Sequence, residues 1–380
     1  MRLRVGVGAC VWVAITSCGT ATPGAGAGID ASASGGTAGA SGANGTDGSS
    51  GRGGAAGAAD SSDLDSRAGA GGASGTDVGT DGSNDASLDG AIDDGASDAT
   101  DDSRPTCNVN KPFLSPTPVA SINSGYAEDQ IYLTPDGLTA VFSSSRPAAL
   151  GGYNLYTATR TSPTGDFGPA TLLANVNSEF NDREPVLSAD GLTLFFASDR
   201  VPPPSDGGNL DIYVAKRSNT LSDFTVPGPV TGVNSDARED PNSLSPDGQT
   251  LYFDSTRATG NFATYMKSLV TSDPPTPLSE PNTPADTSAF VVTRDSLVAY
   301  FASALSASPD SGANEVNIWV GHRTTPTGPL LGVARVDELN TSSLDIPNWI
   351  APDGCTLYFV TDRNNASLSY DIWVARKPEN

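Results

Sequence analysis

Ser245-Pro246-Asp247-Gly248-Gln249-Thr250-Leu251-Tyr252-Phe253-Asp254-Ser255-Thr256-Arg257 is the stretch that decides the fold of this chain. A Pro-Asp-Gly turn leads directly into a β-rich aromatic run, which ends in Ser and Arg. The pattern recurs at Thr134-Pro135-Asp136-Gly137-Leu138, Ser188-Ala189-Asp190-Gly191-Leu192 and Ala351-Pro352-Asp353-Gly354-Cys355, with a worn copy at Thr293-Arg294-Asp295-Ser296-Leu297. Taking differences between the turn residues Asp136, Asp190, Asp247, Asp295 and Asp353 gives steps of 54, 57, 48 and 58. Periods of this size mark a repeat architecture in the propeller range.

Outward from the turn, each copy continues alike. A first apolar run (Ala140-Val141-Phe142, Leu194-Phe195-Phe196, Leu251-Tyr252-Phe253, Val298-Ala299-Tyr300-Phe301, Leu357-Tyr358-Phe359) is followed after a loop by a second. The second runs are Asn154-Leu155-Tyr156, Asp211-Ile212-Tyr213-Val214, Thr264-Tyr265-Met266, Asn317-Ile318-Trp319-Val320 and Asp371-Ile372-Trp373-Val374. Asp-Gly between apolar runs is a tight-hairpin signal, preferred where both central positions take positive φ. No helical period of useful length is present. Each unit is therefore expected to be a four-stranded antiparallel blade, strands a to d, with the turn joining a to b. The chain stops just after its last strand c, so Pro118-Val119-Ala120-Ser121-Ile122-Asn123-Ser124 is expected to supply the missing strand d and seal the ring. The fold class is all-β, a five-bladed β-propeller closed by its N-terminal strand.

The Ser-Pro-Asp-Gly-x-x-Leu-Tyr-Phe-x-Ser-x-Arg pattern followed by Asp-Ile-Tyr-Val resembles the TolB-type, WD-like Pro-Asp propeller repeats of bacterial envelope proteins. The resemblance spans 117 to 380. It departs from TolB in having five copies rather than six and in lacking a recognisable TolB N-terminal domain before them. It implies a propeller that mostly binds proteins or ligands, although one fold hosts many functions.

The rest of the chain gives an address. Arg2 and Arg4 precede the apolar run Val5 to Ile15, too short to span a bilayer, and Ile15-Thr16-Ser17-Cys18 resembles the bacterial lipoprotein signal. Residues 1–17 are expected to be removed and Cys18 lipidated, which would anchor the protein to the bacterial cell envelope, at the outer membrane. Residues 18–105 form a Gly-, Ala-, Ser- and Asp-rich tether. From 19 to 105 there are 22 Gly, 14 Asp and three Arg, and no aromatic residue occurs between Trp12 and Phe113. Such a segment buries too little apolar surface to order itself, and its mean reach is roughly 50 Å. Residues 106–380 hold the core, a propeller expected to be monomeric.

Charge excludes some functions. With 44 Asp plus Glu against 21 Lys plus Arg, a net of −23, the chain is not built to neutralise nucleic-acid phosphates. A single histidine, His322, excludes a three-histidine zinc site. Serine-nucleophile motifs, phosphate loops and metal-binding Cys clusters are absent.

Two sets of residues are candidates for a site. Eight residues before each turn Asp lie Glu128, Asp182, Glu239, Thr287 with Asp286 beside it, and Asp345. If strand a lines the channel, these acids gather at one mouth and repel one another. They then either pair with Arg183 and Arg238, cap their own blades, or hold a divalent cation, Ca²⁺ in preference to zinc because the ligands are oxygens. The loops at 201 to 210 and 304 to 316 share that face. Arg200 with Asp211, and Arg363 with Asp371, are expected to stitch strand b to strand c. Cys107 and Cys355, the two cysteines of the domain, fall on one side of the same blade and are expected to form a disulfide in an oxidising compartment. Function divides into two classes: a non-enzymatic module binding an envelope or extracellular protein or glycan, or a glycan hydrolase using carboxylates at the channel mouth. Acids that merely follow the blade repeat favour the first, because catalytic acids differ in environment and role.

Overall fold

Each Asp-Gly repeat forms a five-residue turn between the two innermost strands of a blade. A computed structural model describes residues 107–148, 150–200, 209–278, 287–304, 316–363 and 369–380. In the first turn the Thr134 hydroxyl and the Leu138 amide donate to Asp136 Oδ1 at 2.6 and 2.9 Å, and the Gly137 amide donates to the Thr134 carbonyl. Only the fourth turn residue takes a positive φ: 69° at Gly137, 72° at Gly191, 69° at Gly248, 71° at Gly354 and 57° at Ser296. The turn is thus not the two-residue hairpin with two positive φ values expected from Asp-Gly alone. Asp serves as a side-chain cap within the turn, and Gly supplies the left-handed position.

Strand β1 is Thr117–Pro118. Blade one contains β2 (Glu128–Leu133), β3 (Thr139–Ser144), β4 (Asn154–Thr159) and β5 (Thr171–Leu172), and blade two β6 (Asp182–Leu187), β7 (Thr193–Ser198), β8 (Asp211–Lys216) and β9 (Gly228–Pro229). Blade three has β10 (Glu239–Leu244), β11 (Thr250–Ser255), β12 (Ala263–Ser268) and β13 (Thr276–Pro277), and blade four β14 (Thr287–Val292), β15 (Val298–Ser303), β16 (Asn317–His322) and β17 (Leu331–Arg335). Blade five joins β18 (Asp345–Ile350), β19 (Thr356–Thr361) and β20 (Asp371–Arg376) to β1. All pairings are antiparallel, and no helix occurs among the described residues. The inner strands β2, β6, β10, β14 and β18 contact one another in order, and β18 returns to β2, so the ring closes.

Apolar residues alternate between blade interfaces. Val141 and Leu155 of blade one, for example, pack with Leu187, Phe196 and Tyr213 of blade two in one buried cluster. Each such side chain contributes roughly 1.5–3 kcal/mol of transfer free energy. Every inner strand carries a break in register against its neighbour, a bulge that re-aims the side chains nearest the axis.

Closure uses a shorter ladder than the sequence suggests. Thr117 and Pro118 pair with Val374 and Trp373, and the Val119 amide donates to the Ile372 carbonyl at 2.9 Å. Residues 120–124 leave the ladder. Before β1, Cys107 bridges Glu379, the Leu114 amide donates to Arg376, and Phe113 is buried against Tyr300 and Phe359. Cys107 and Cys355 form a disulfide across 248 residues of sequence.

Candidate functional site

Glu239 shows what the repeated acid column does. Its carboxylate is fully buried and accepts from the Ser235 amide and hydroxyl, from the Ser255 hydroxyl at 2.8 Å, and from Arg257 Nη2 at 3.1 Å. Arg257 also donates to the Val233 carbonyl at 2.6 Å, and its guanidinium lies 5.2 Å from the Phe253 ring centroid and 5.0 Å from that of Tyr265. Blade one repeats the set with Glu128, Ser124, Ser144 and Arg146. Asp182 takes Ser178 and Arg200 in blade two, and Asp345 takes Thr341 and Arg363 in blade five. Arg200 and Arg363 therefore turn inward to strand a, rather than across to Asp211 and Asp371 as expected.

The four described acids of the column are each bonded within their own blade. Among the described residues, no group of three or more His, Cys, Asp or Glu stands close enough to hold a metal. The arrangement is local: the Arg two residues past strand b reaches the acid at the start of strand a in its own blade. Asp286, the fourth proposed ligand, lies outside the described residues. Blade four has Thr287 in the acid position and Leu305 where the Arg would stand, so acid and Arg are absent together.

A second element of this latch went unnoticed in the sequence. Asn177 lies in the connector after β5; its Oδ1 accepts from the Leu155 amide at 2.7 Å and its Nδ2 donates to the Leu155 carbonyl at 3.0 Å. Asn123 does the same to Ile372, Asn234 to Ile212 and Asn340 to Ile318. The side chain imitates one more residue of strand d, which explains why those strands are mostly two residues long. Arg200 then holds the Val176 carbonyl on one side of Asn177, and Asp182 holds the Ser178 amide on the other. The connector is clamped by both blades that it joins.

Beside the column runs an arc of charge confined to blades one to three. Both oxygens of Asp129 are engaged, one by the Ser143 hydroxyl and one by Arg183 of the next blade. Arg238 donates to Glu184 at 3.2 Å and to Asp240 at 2.7 Å. Arg183 lies 4.2 Å from the Tyr153 ring centroid and Arg238 5.4 Å from that of Phe262. The corresponding positions of blades four and five hold Ser288 and Ile346. Burial, reinforced by the charge of Asp240, pushes the Glu184 carboxyl well above the usual carboxylate range, with Arg238 and Arg183 opposing. Asp254, on β11, is pushed up to about 7 by burial, opposed by hydrogen bonds from the Ala289 amide, Asn242 and Thr264. Burial raises the phenols too, Tyr370 to about 12. The signal for this arc was in the sequence, as departures from the repeat: the Asp254 column reads Ser143, Ala197, Asp254, Ala302, Val360.

Strand a starts, and strand b ends, on the face opposite the Asp-Gly turns. The b-to-c loops and blade connectors make that mouth, and it carries Tyr126, Tyr153, Phe180, Phe262 and Tyr370, with Tyr126 48% exposed. Much of the loops at 201 to 210 and 304 to 316, and the lipidation residue Cys18 with segments 1–17 and 18–105, lie outside the described residues.

The strand order defines the class, a five-bladed β-propeller. No family model matches the chain and no curated protein matches it. Among solved structures it is similar to a putative TolB from Agrobacterium tumefaciens, at 17% identity and TM-score 0.40 over 68% of this chain and 78% of that one. It is also similar to an alpha-L-arabinofuranosidase from Podospora anserina in complex with cellotriose, at 13% identity and TM-score 0.42 over 71% and 98%. A protein of unknown function from Dyadobacter fermentans matches at 9% identity and TM-score 0.42 over 70% and 99%. Likenesses of this size add nothing to what the strand order and the repeats establish.

Proposed function

We propose that the chain is an envelope lipoprotein, anchored through Cys18 and its acidic tether, whose propeller is a non-enzymatic module binding a protein or glycan at the mouth formed by the b-to-c loops. The observation that carries the reading is the state of the buried acids. Asp129 and Asp254 have both oxygens engaged, Glu128, Glu239 and Asp345 are locked to Arg within their blades, and Asp240 is closed to solvent on its unbonded side. A glycan hydrolase needs an acid and a base or nucleophile facing open space for a sugar ring. The aromatic side chains around the mouth offer flat apolar surface suited to a bound partner instead.

The elevated Asp254 favours the hydrolase alternative, since a general acid is a carboxyl raised toward neutral pH. Its engaged oxygens oppose it. Incubating the full chain with aryl arabinofuranosides and xylo-oligosaccharides is expected to give no turnover; turnover lost in Asp254→Asn or Glu184→Gln would establish the enzyme. Cys18→Ser is expected to release the protein from the membrane fraction, and unchanged partitioning would remove the anchor.

A further inference from the structure

Unlike the Arg-bonded acids of the column and the arc, Asp254 has uncharged bonding partners among the described residues. Asn242 Nδ2 lies 2.7 Å and Thr264 Oγ1 2.9 Å from its Oδ1, and the Ala289 amide donates to its Oδ2 at 2.8 Å. The last of these bonds crosses from blade three to blade four. It holds a strained point, because Ala289 sits in the β14 bulge with φ 57°.

Among the described residues, the joint that it spans carries no acid–Arg pair like those of the other four blades. The ties between blades three and four among the described residues include the Asp254 bond, Ser243 Oγ donating to the Phe290 carbonyl at 2.7 Å, and the Thr287 amide donating to the Phe262 carbonyl at 3.2 Å. Among the described residues, the charged group that acts on Asp254 is Asp240 of β10. Arg238, just before β10, bonds Asp240 and reaches across to Glu184 of β6. β12 brings the Thr264 hydroxyl and β14 the Ala289 amide. Asp240 has one buried oxygen, Oδ1, with no hydrogen-bond partner. An ionised Asp254 thus adds a negative charge beside Asp240, whose neighbouring guanidinium, Arg238, is already shared with Glu184.

We propose that Asp254 makes the joint between blades three and four proton-sensitive: neutral and tight in mild acid, and loaded by carboxylate repulsion as the pH rises through neutrality. The inference is independent of what the propeller binds. Its direction follows from burial without a counter-charge, since the fold then favours the protonated form and loses stability when that proton leaves.

The test is thermal unfolding of the full chain at pH 5.5, 6.5, 7.5 and 8.5, wild type beside Asp254→Asn. Asn keeps the shape without the charge. The melting temperature of the wild type should fall across this range relative to the variant by on the order of 5 °C. Parallel curves would overturn the proposal. Infrared spectra of wild-type protein carrying an aspartate-selective ¹³C label provide a check that needs no variant. A protonated carboxyl band at pH 5.5 that is lost by pH 8.5 supports the joint, and its absence at pH 5.5 overturns it. Millimolar Ca²⁺ that abolishes the wild-type slope would also overturn it, by showing that a metal rather than a proton balances the charge.

Discussion

Arg257 lies across the start of its own blade, with Nη2 3.1 Å from Glu239 Oε1, and Glu239 has no exposure to solvent. The pair is the middle of a latch that also grips the connector through the Val233 carbonyl. Removing one member leaves the other charged and buried, which costs about 3–5 kcal/mol, more than the intact pair is worth. Arg257→Ala should therefore destabilise the propeller by about that amount in urea unfolding. The double change Glu239→Thr with Arg257→Leu reproduces the pair found in blade four, so it should lose much less than Arg257→Ala alone. Equal losses would show that the guanidinium matters for packing against Phe253 and Tyr265 rather than for charge.

Reduction of the Cys107–Cys355 disulfide should lower stability without dismantling the blades. Closing a loop of this length constrains the unfolded chain by roughly 4–5 kcal/mol in the chain-entropy model, a figure that measured disulfides often fall short of. Melts with and without reductant, compared with Cys107→Ser, measure it. A melting temperature indifferent to reductant would mean that β1 and the buried Phe113 seal the ring unaided.

Ser296→Gly should stabilise the protein by about 0.5–1 kcal/mol. Ser296 takes φ 57° where four of the five turns have Gly, so the substitution removes the left-handed penalty of an L-residue at some cost in unfolded-chain entropy. A loss of stability would mean that the buried Ser side chain contributes more by packing than its backbone loses by strain.

The turn acids Asp190, Asp247 and Asp295 are held below the usual Asp value, chiefly by the hydroxyls of Ser188, Ser245 and Thr293. Their folded-state affinity for protons is depressed, so the stability they add is present above about pH 4 and is lost as the pH falls through their folded values. Unfolding measured from pH 5 down to pH 2 should therefore weaken steadily, and Asp247→Asn should flatten part of that slope. An unchanged slope would confine that turn's stability to its Gly.

The propeller was legible in the sequence because its turns need Asp and Gly at fixed offsets and its strands need aromatic runs after them; both demands are local. The disulfide pairing followed from strand order, since Cys355 sits after a turn and Cys107 before the sealing strand. The acid column was visible, but its role was not: whether Glu128 or Asp182 faces the axis or an Arg depends on bulges that sequence does not mark. The latch Asn residues were in view as the ends of strand d, yet a side chain standing in for backbone has no signature of its own. Asp129, Glu184, Asp240 and Asp254 escaped because the repeat drew notice to what recurs, whereas a site on a symmetric scaffold is made by what does not.

The central claim is that the mouth formed by the b-to-c loops, and not the opposite face, meets a partner in the envelope. A photo-crosslinking residue placed at Tyr126 on that mouth, and separately at Leu221, 97% exposed on the opposite face, tests it in living cells. The account predicts a discrete adduct from position 126 and none from position 221. Adducts from 221 alone, or none from either position, would contradict it.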